Sequence, residues 1–269
     1  MMAEIPRAGA RVVDLSLTLA PELPGSWPGA LPFRHFVEHW FEETGDDVSV
    51  RLCGNNAPYR SHGLVIDEHT GTHFDAPAHF LAAEDSGLPM AHPMGAVTGD
   101  RVDPAQFLGT AAVIDVSDLV GGSPLGISPL IRRRHIDEWE AAHKRLSPGD
   151  VVLFRSGWDA RYLPGRVGGE YIRRPIDFQD ADAWPAPDVD TMELLDERGV
   201  RCVGTDGASM GPAHDGAPTH IAGLSRGMVF VECLAALGEL PSYGAYFIFL
   251  PVKVARSSGG PGRAIAILP

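Results

Sequence analysis

The chain has 269 residues, 44% hydrophobic and 21% charged, a composition that supports a packed globular core. Its formal net charge of −13 argues against nucleic-acid binding and against docking on an anionic membrane, since both need clustered Lys and Arg. Three scattered cysteines, Cys53, Cys202 and Cys233, fit neither a disulfide framework nor a CxxC zinc site and are expected as reduced thiols.

The opening residues carry no apolar signal segment, and no run of about 18 apolar residues follows, so a cytoplasmic protein is expected. In chain order, Val- and Ile-rich runs bounded by turn residues predict strands over 11–16, 63–66 and 111–116. A helix is predicted over 128–145, with Ile131, His135, Trp139 and Ala142 at helical spacing. Strands over 151–154 and 200–204 flank a second helix, 189–198, which starts beside Pro187 and Asp188 and stops at Gly199. Further strands are predicted over 227–231, 246–254 and 264–268, and 228–237 reads as a strand finishing in a short helix. The Gly- and Pro-rich stretches 20–32, 163–187 and 205–219 are long loops of the kind that often carry function. Helices are too few for a regularly alternating doubly wound sheet. With no linker and no repeat, the expectation is one α/β domain over 1–269 with a mixed, β-rich core.

The segment His69-Thr-Gly-Thr-His73-Phe-Asp75-Ala-Pro-Ala-His79 carries the chemistry. Its His and Asp residues all fall on odd numbers, so an extended chain aims all four to one side. A helix would turn Asp75 away, and Pro77 forbids a continuous one. Two imidazoles and a carboxylate are a common shell for a catalytic divalent metal, with positions left for water and substrate. The bland alternative is a polar loop with surface or core histidines. Glu232 sits inside the apolar run VFVECL, where a carboxylate needs an Arg partner or a metal. Gly207-Ala-Ser209-Met-Gly211 fits the G-x-S-x-G nucleophile elbow, with Asp215 and His220 following, so a serine hydrolase is a rival reading. Pro212 stands where that elbow's helix should begin. Aromatic residues Trp27, Phe33, Phe36, Trp40 and Phe41, with Phe74 and Phe80 beside the histidines, offer walls for a flat substrate or core and interface contacts.

The complete HxGTHxDxPxH pattern resembles the signature of the cyclase-like family that includes bacterial kynurenine formamidase and isatin hydrolase. VVDLS, PGSWPG and LPF near the start, GTDG at 204–207 and the closing LPVKV and GGPGRAIAIL extend the likeness over most of the chain. The resemblance implies a compact swivelling β/β/α fold and a homodimer or homotetramer that completes the site. It implies metal ligands His69, His73 and Asp75, with Asp75 bridging to a second ion held by His220 and Glu232. His79 becomes the general acid/base, and Trp27, Phe33, Phe74, Phe80 and Ser209 become pocket residues. By ligands the chain is similar to the formamidases; by length and the TGTHFDAP context it is similar to isatin hydrolase. One ion or two, Zn or Mn, remain open. The implied activity is hydrolysis of an aryl formamide or cyclic amide, because a divalent metal both activates water and polarises a carbonyl. Aldol cyclisation of an aromatic polyketide and metal-dependent binding without turnover are the other readings.

Overall fold

The computed structural model describes residues 9–40, 55–56 and 59–269; residues 1–8, Phe41 and Cys53 lie outside the described residues. Ten strands of it matter here: β1 (Val12–Asp14), β2 (Arg34–Trp40), β3 (Ser61–Val65), β4 (His73–Asp75), β5 (Leu108–Asp115), β6 (Asp150–Arg155), β7 (Cys202–Thr205), β8 (Val229–Glu232), β9 (Tyr243–Pro251) and β10 (Gly259–Ile267). The main sheet runs β1-β10-β9-β5-β6-β7-β8-β4, and β4 pairs again with β10, which closes seven strands into a barrel-like ring. β5 to β8 are parallel, whereas β9, β10 and β4 join antiparallel.

Strand alternation explains the two-sided core. Ala111 and Val113, Val151 and Leu153, Val229 and Val231, Phe247 and Phe249, Ala264 and Ala266, and Phe74 form one buried cluster inside the ring. Their neighbours Ala112, Ile114, Val152, Phe154, Val203 and Phe230 face outward into a second cluster. Three helices cover that outer face: α1 (Arg133–Ala142), α2 (Val189–Glu197) and α3 (Ala217–Leu224). Both faces of the parallel strands are therefore apolar, as parallel strands under crossover helices require. Trp139 fastens α1 to the ring by donating from Nε1 to the Val113 carbonyl at 2.9 Å.

Several sequence expectations change. The first helix is shorter than 128–145 because Leu130–Ile131 pairs with Ala186–Pro187 as a two-residue ribbon. The stretch 205–219 is not all loop: α3 begins at Ala217, with Pro218 tolerated in its first turn. After β8 the chain makes only one 3-10 turn, Leu237–Glu239, in place of the expected helix. The predicted strand near 63–66 joins β2 in a separate small sheet. Among the described residues no helix is long and apolar enough to cross a membrane.

Candidate metal centre

The site lies on the outer side of the seam where the ring closes. His73 pairs in register with Glu232, and Asp75 with Phe230. Because Val231 and Phe74 point inward, His73, Asp75 and Glu232 point out together. His69 and His79 reach the same place by turns, not by extension of β4. Gly71 takes a left-handed φ of 62°, and an added Cβ there would lie 2.3 Å from Leu19 Cδ2. Pro77 opens a 3-10 turn over Pro77–His79, which folds His79 back until its ring stacks on His69 at 4.0 Å. Thus only His73 and Asp75 owe their shared direction to strand parity.

α3 supplies His220 from the opposite side. Its Nε2 lies 3.2 Å from Glu232 Oε1 and 3.4 Å from Asp75 Oδ2. His73 Nε2 lies 3.5 Å from Glu232 Oε2 and 3.7 Å from Asp75 Oδ1, and His69 Nε2 lies 3.4 Å from Asp75 Oδ1. The far nitrogens are tied back: His73 Nδ1 lies 2.7 Å from the Gly71 carbonyl, and His220 Nδ1 lies 2.7 Å from the Gly216 carbonyl. This leaves Nε2 of each ring facing the centre, the orientation a metal-ligating histidine needs.

Burial and electrostatics agree with this arrangement. Desolvation pulls His73 and His220 down, but Cys233 and Glu232 outweigh it at His73, and Asp75 and Glu232 raise His220 to about 10. Glu232 is pressed upward by burial and held well below the usual carboxylate range by His220 and His73. Among the described residues no Arg pairs with it; Oε1 accepts from the Met210 amide at 2.6 Å and from Ser209 Oγ at 3.3 Å. Burial lowers His79, with the Asp75 carboxylate opposing.

The donor set fits a divalent cation. Asp75 is 1% exposed, yet both its carboxylate oxygens lack a hydrogen-bond partner among the described residues, as does His69 Nε2. Three buried polar atoms left bare at one point are costly unless something binds them. Ligand atoms fall into two groups that share Asp75, His69 with Asp75 and His79, and His73 with Asp75 and Glu232, each within 4.8 Å. The geometry therefore groups His79 with possible ligands, whereas the sequence reading kept it apart as an acid/base.

A cavity of about 410 Å³ opens above the cluster, walled by Trp27, Phe80, Tyr171 and Ile172 and floored by Ser209 and Cys233. Trp27 meets the buried Trp184 edge-on at 6.3 Å, and Phe80 stacks on His220 at 4.2 Å. The loop carrying Trp27 is fastened to the metal segment by the Gly71 amide donating to the Gly25 carbonyl at 2.7 Å. Two expected wall residues lie elsewhere. Phe74 is turned into the ring against Phe107 and Phe249, and Phe33 is buried beside His35 without lining the cavity. A larger space of about 780 Å³ adjoins across Pro24 and Ile172, but none of the clustered histidines faces it.

Other sequence candidates resolve differently. Ser209 lies 3.5 Å from His220 Nε2, but His220 Nδ1 is held by a backbone carbonyl and not by Asp215, which is exposed. Ser209 donates to Glu232, so the triad geometry of a serine hydrolase is not formed. Asp206 of GTDG is buried away from the cavity and accepts from the Ser156 and Gly157 amides. Asp67 caps the His69 amide at 2.9 Å, and Glu68 turns away to accept from Ser258. Tyr171, Ile172 and Cys233 were not foreseen as lining residues, because nothing in the spacing of 163–187 marks the first two and Cys233 reads as part of the apolar run VFVECL. Gly259 was also missed: a Cβ there would lie 2.2 Å from the Phe74 carbonyl and 2.9 Å from His69 Nε2.

Comparison with known proteins agrees with this architecture. The chain is 33% identical over 254 residues to kynurenine formamidase of Paracidovorax citrulli, covering 93% of this chain and 94% of that one. It is 32% identical over 216 residues to isatin hydrolase of Roseibium aggregatum, covering 77% and 74%. Among solved structures, isatin hydrolase A from Ralstonia solanacearum superposes with a TM-score of 0.75 at 27% identity, covering 98% of this chain and 94% of that one. With residues 13–212 matched by the family model for cyclases, and with the ring and its histidine-lined seam in place, this chain belongs to the cyclase family.

Proposed function

We propose that this protein is a metal-dependent hydrolase that cleaves the C–N bond of an aryl formamide or of a cyclic aromatic amide of the isatin kind. The observation that carries the reading is the convergence of bare Asp75 oxygens and His69 Nε2 with His73, His220 and Glu232 beneath an apolar-walled cavity. The named activities of the similar proteins, isatin hydrolase and kynurenine formamidase, support it.

The residues in named roles are these. His69, His73 and Asp75 would hold a Zn or Mn ion, and Asp75 with Glu232 and His220 would hold a second. When bound, such an ion supplies Lewis acidity and lowers the pKa of water to about 7. Ser209 and the Met210 amide fix Glu232, so the carboxylate stays aimed at the centre. Trp27 and Phe80 hold the flat ring and exclude bulk water. His79 moves the proton: among the described residues no hydrogen bond occupies its ring nitrogens, unlike those of His73 and His220, and burial lowers its pKa, which favours the neutral imidazole as a base. It takes a proton from the attacking water and returns it to the leaving nitrogen.

The cavity volume favours a one- or two-ring substrate over a polyketide chain folding into several rings. A homodimer or homotetramer belongs to the same proposal, and light scattering tests it. The activity is tested with chelator-stripped protein reloaded with Zn or Mn and offered formanilide and isatin. Turnover that needs the metal and resists a serine-directed fluorophosphonate is expected. Metal-loaded protein without turnover on either compound would leave a binding protein instead.

A further inference from the structure

Tyr171 stands out in the cavity. It is 1% exposed, lines the space above the cluster, and its hydroxyl has no hydrogen-bond partner among the described residues. The Cys233 thiol lies beside it, but a thiol is a weak partner, and this one points at the Ala208 carbonyl 3.6 Å away. Burial, then Cys233, raises the phenol well above its usual value, so the hydroxyl keeps its proton and is a donor.

The position is fixed from behind. Trp158 Nε1 donates to the Tyr171 carbonyl at 2.8 Å, and the ring packs edge-on against Tyr162 at 5.2 Å. Tyr162 lacks the same freedom, because its own hydroxyl donates to the Thr18 carbonyl at 2.9 Å. A buried donor held rigidly without an acceptor destabilises the fold unless a ligand completes it. A phenylalanine would pack as well in that place and avoid the cost. The hydroxyl therefore points to an acceptor that arrives with the substrate.

We propose that Tyr171 is a specificity-determining residue whose hydroxyl binds a second oxygen of the substrate, apart from the carbonyl being attacked. This rests on the hydrolase reading and narrows it to aromatic amides that carry a further carbonyl or carboxylate oxygen.

The test compares metal-loaded wild type and Tyr171→Phe by equilibrium titration with two unreactive probes. Phenylglyoxylate has a ketone oxygen besides its carboxylate; benzoate has the carboxylate alone. Wild type should prefer phenylglyoxylate by about tenfold, the worth of one buried hydrogen bond, and the variant should lose that preference while binding benzoate as before. Its melting temperature should be unchanged or higher, since an unsatisfied group has gone. Three results would each overturn the role: no preference or no binding in wild type, a preference retained in the variant, or equal loss of both probes with a lower melting temperature. Absence of amide turnover in wild type would remove the hydrolase reading alone and leave the titration standing on its own terms.

Discussion

Removing and restoring the metal should change stability by an amount that the cluster geometry distributes among its members. One ion at a hundred times its Kd stabilises the folded chain by about 2.7 kcal/mol. For a chain of this size that is a rise in Tm of about 5–11 °C. Asp75 belongs to both ligand groups, whereas Glu232 belongs to one. Asp75→Asn should therefore abolish the whole rise and all bound metal. Glu232→Gln keeps a side-chain oxygen for the Met210 amide and Ser209, but loses its charge toward His73 and His220. It should lose only the ion it shares with Asp75 and His220 and leave the ion of His69, His73 and Asp75 in place. Differential scanning calorimetry of chelated and Zn- or Mn-reloaded protein, with elemental analysis of the same samples, reads both quantities. A wild type that shows no rise with either metal, or an Asp75→Asn protein that keeps its metal, would refute the reasoning.

His79→Ala should lower kcat by about 10²–10⁴-fold, the usual weight of a proton-transfer group, while retaining its metal. Loss of metal in step with activity would make it a ligand instead. Gly259→Ala should cost about 1–3 kcal/mol by overpacking against the Phe74 carbonyl and should weaken metal binding through His69, read by thermal melting and metal analysis. Arg198 grips Glu140 with two bonds of 2.8 and 2.9 Å, both side chains being nearly covered. Arg198→Ala should destabilise by about 1 kcal/mol, because the partly buried Glu140 loses its charged partner and keeps only the Leu146 amide. Burial presses Glu140 upward, but Arg198 and the Leu146 amide hold it below its ordinary 4.5. The pair's contribution is thus complete above pH 4.5 and fades as pH falls through the lower folded value; denaturation curves of the variant should lose that acid dependence.

The sequence made the chemistry legible more fully than the route by which the fold assembles it. Parity correctly aimed His73 and Asp75 together, since those two share β4. Applied consistently, it would also have excluded Phe74, which sits between them on the opposite face. His69 and His79 are outside the strand, and their arrival depends on Gly71 and Pro77, residues whose effect on direction is not periodic. α3 escaped notice because eight residues containing Pro218 and Gly223 give little helical pattern, and its length depends on tertiary packing. The ring closure of β4 on β10 joins residues nearly two hundred positions apart, and no local signal announces such a pairing. Tyr171 has no motif at all; only the missing partner of its hydroxyl exposes it.

That missing partner is also the reason to read the cavity as one functional unit. Buried polar atoms without partners are few in folded proteins, and scattered ones often reflect a local water. Seven such side-chain atoms occur among the described residues. Four of them, His69 Nε2, both oxygens of Asp75 and the Tyr171 hydroxyl, belong to this one site. Three are cation ligands in type, and one is a neutral donor. A cation alone would satisfy the first three and leave the fourth bare. A metal with an oxygen-bearing aromatic guest satisfies all four, and so the stability of the loaded, ligand-bound protein should exceed what metal alone provides.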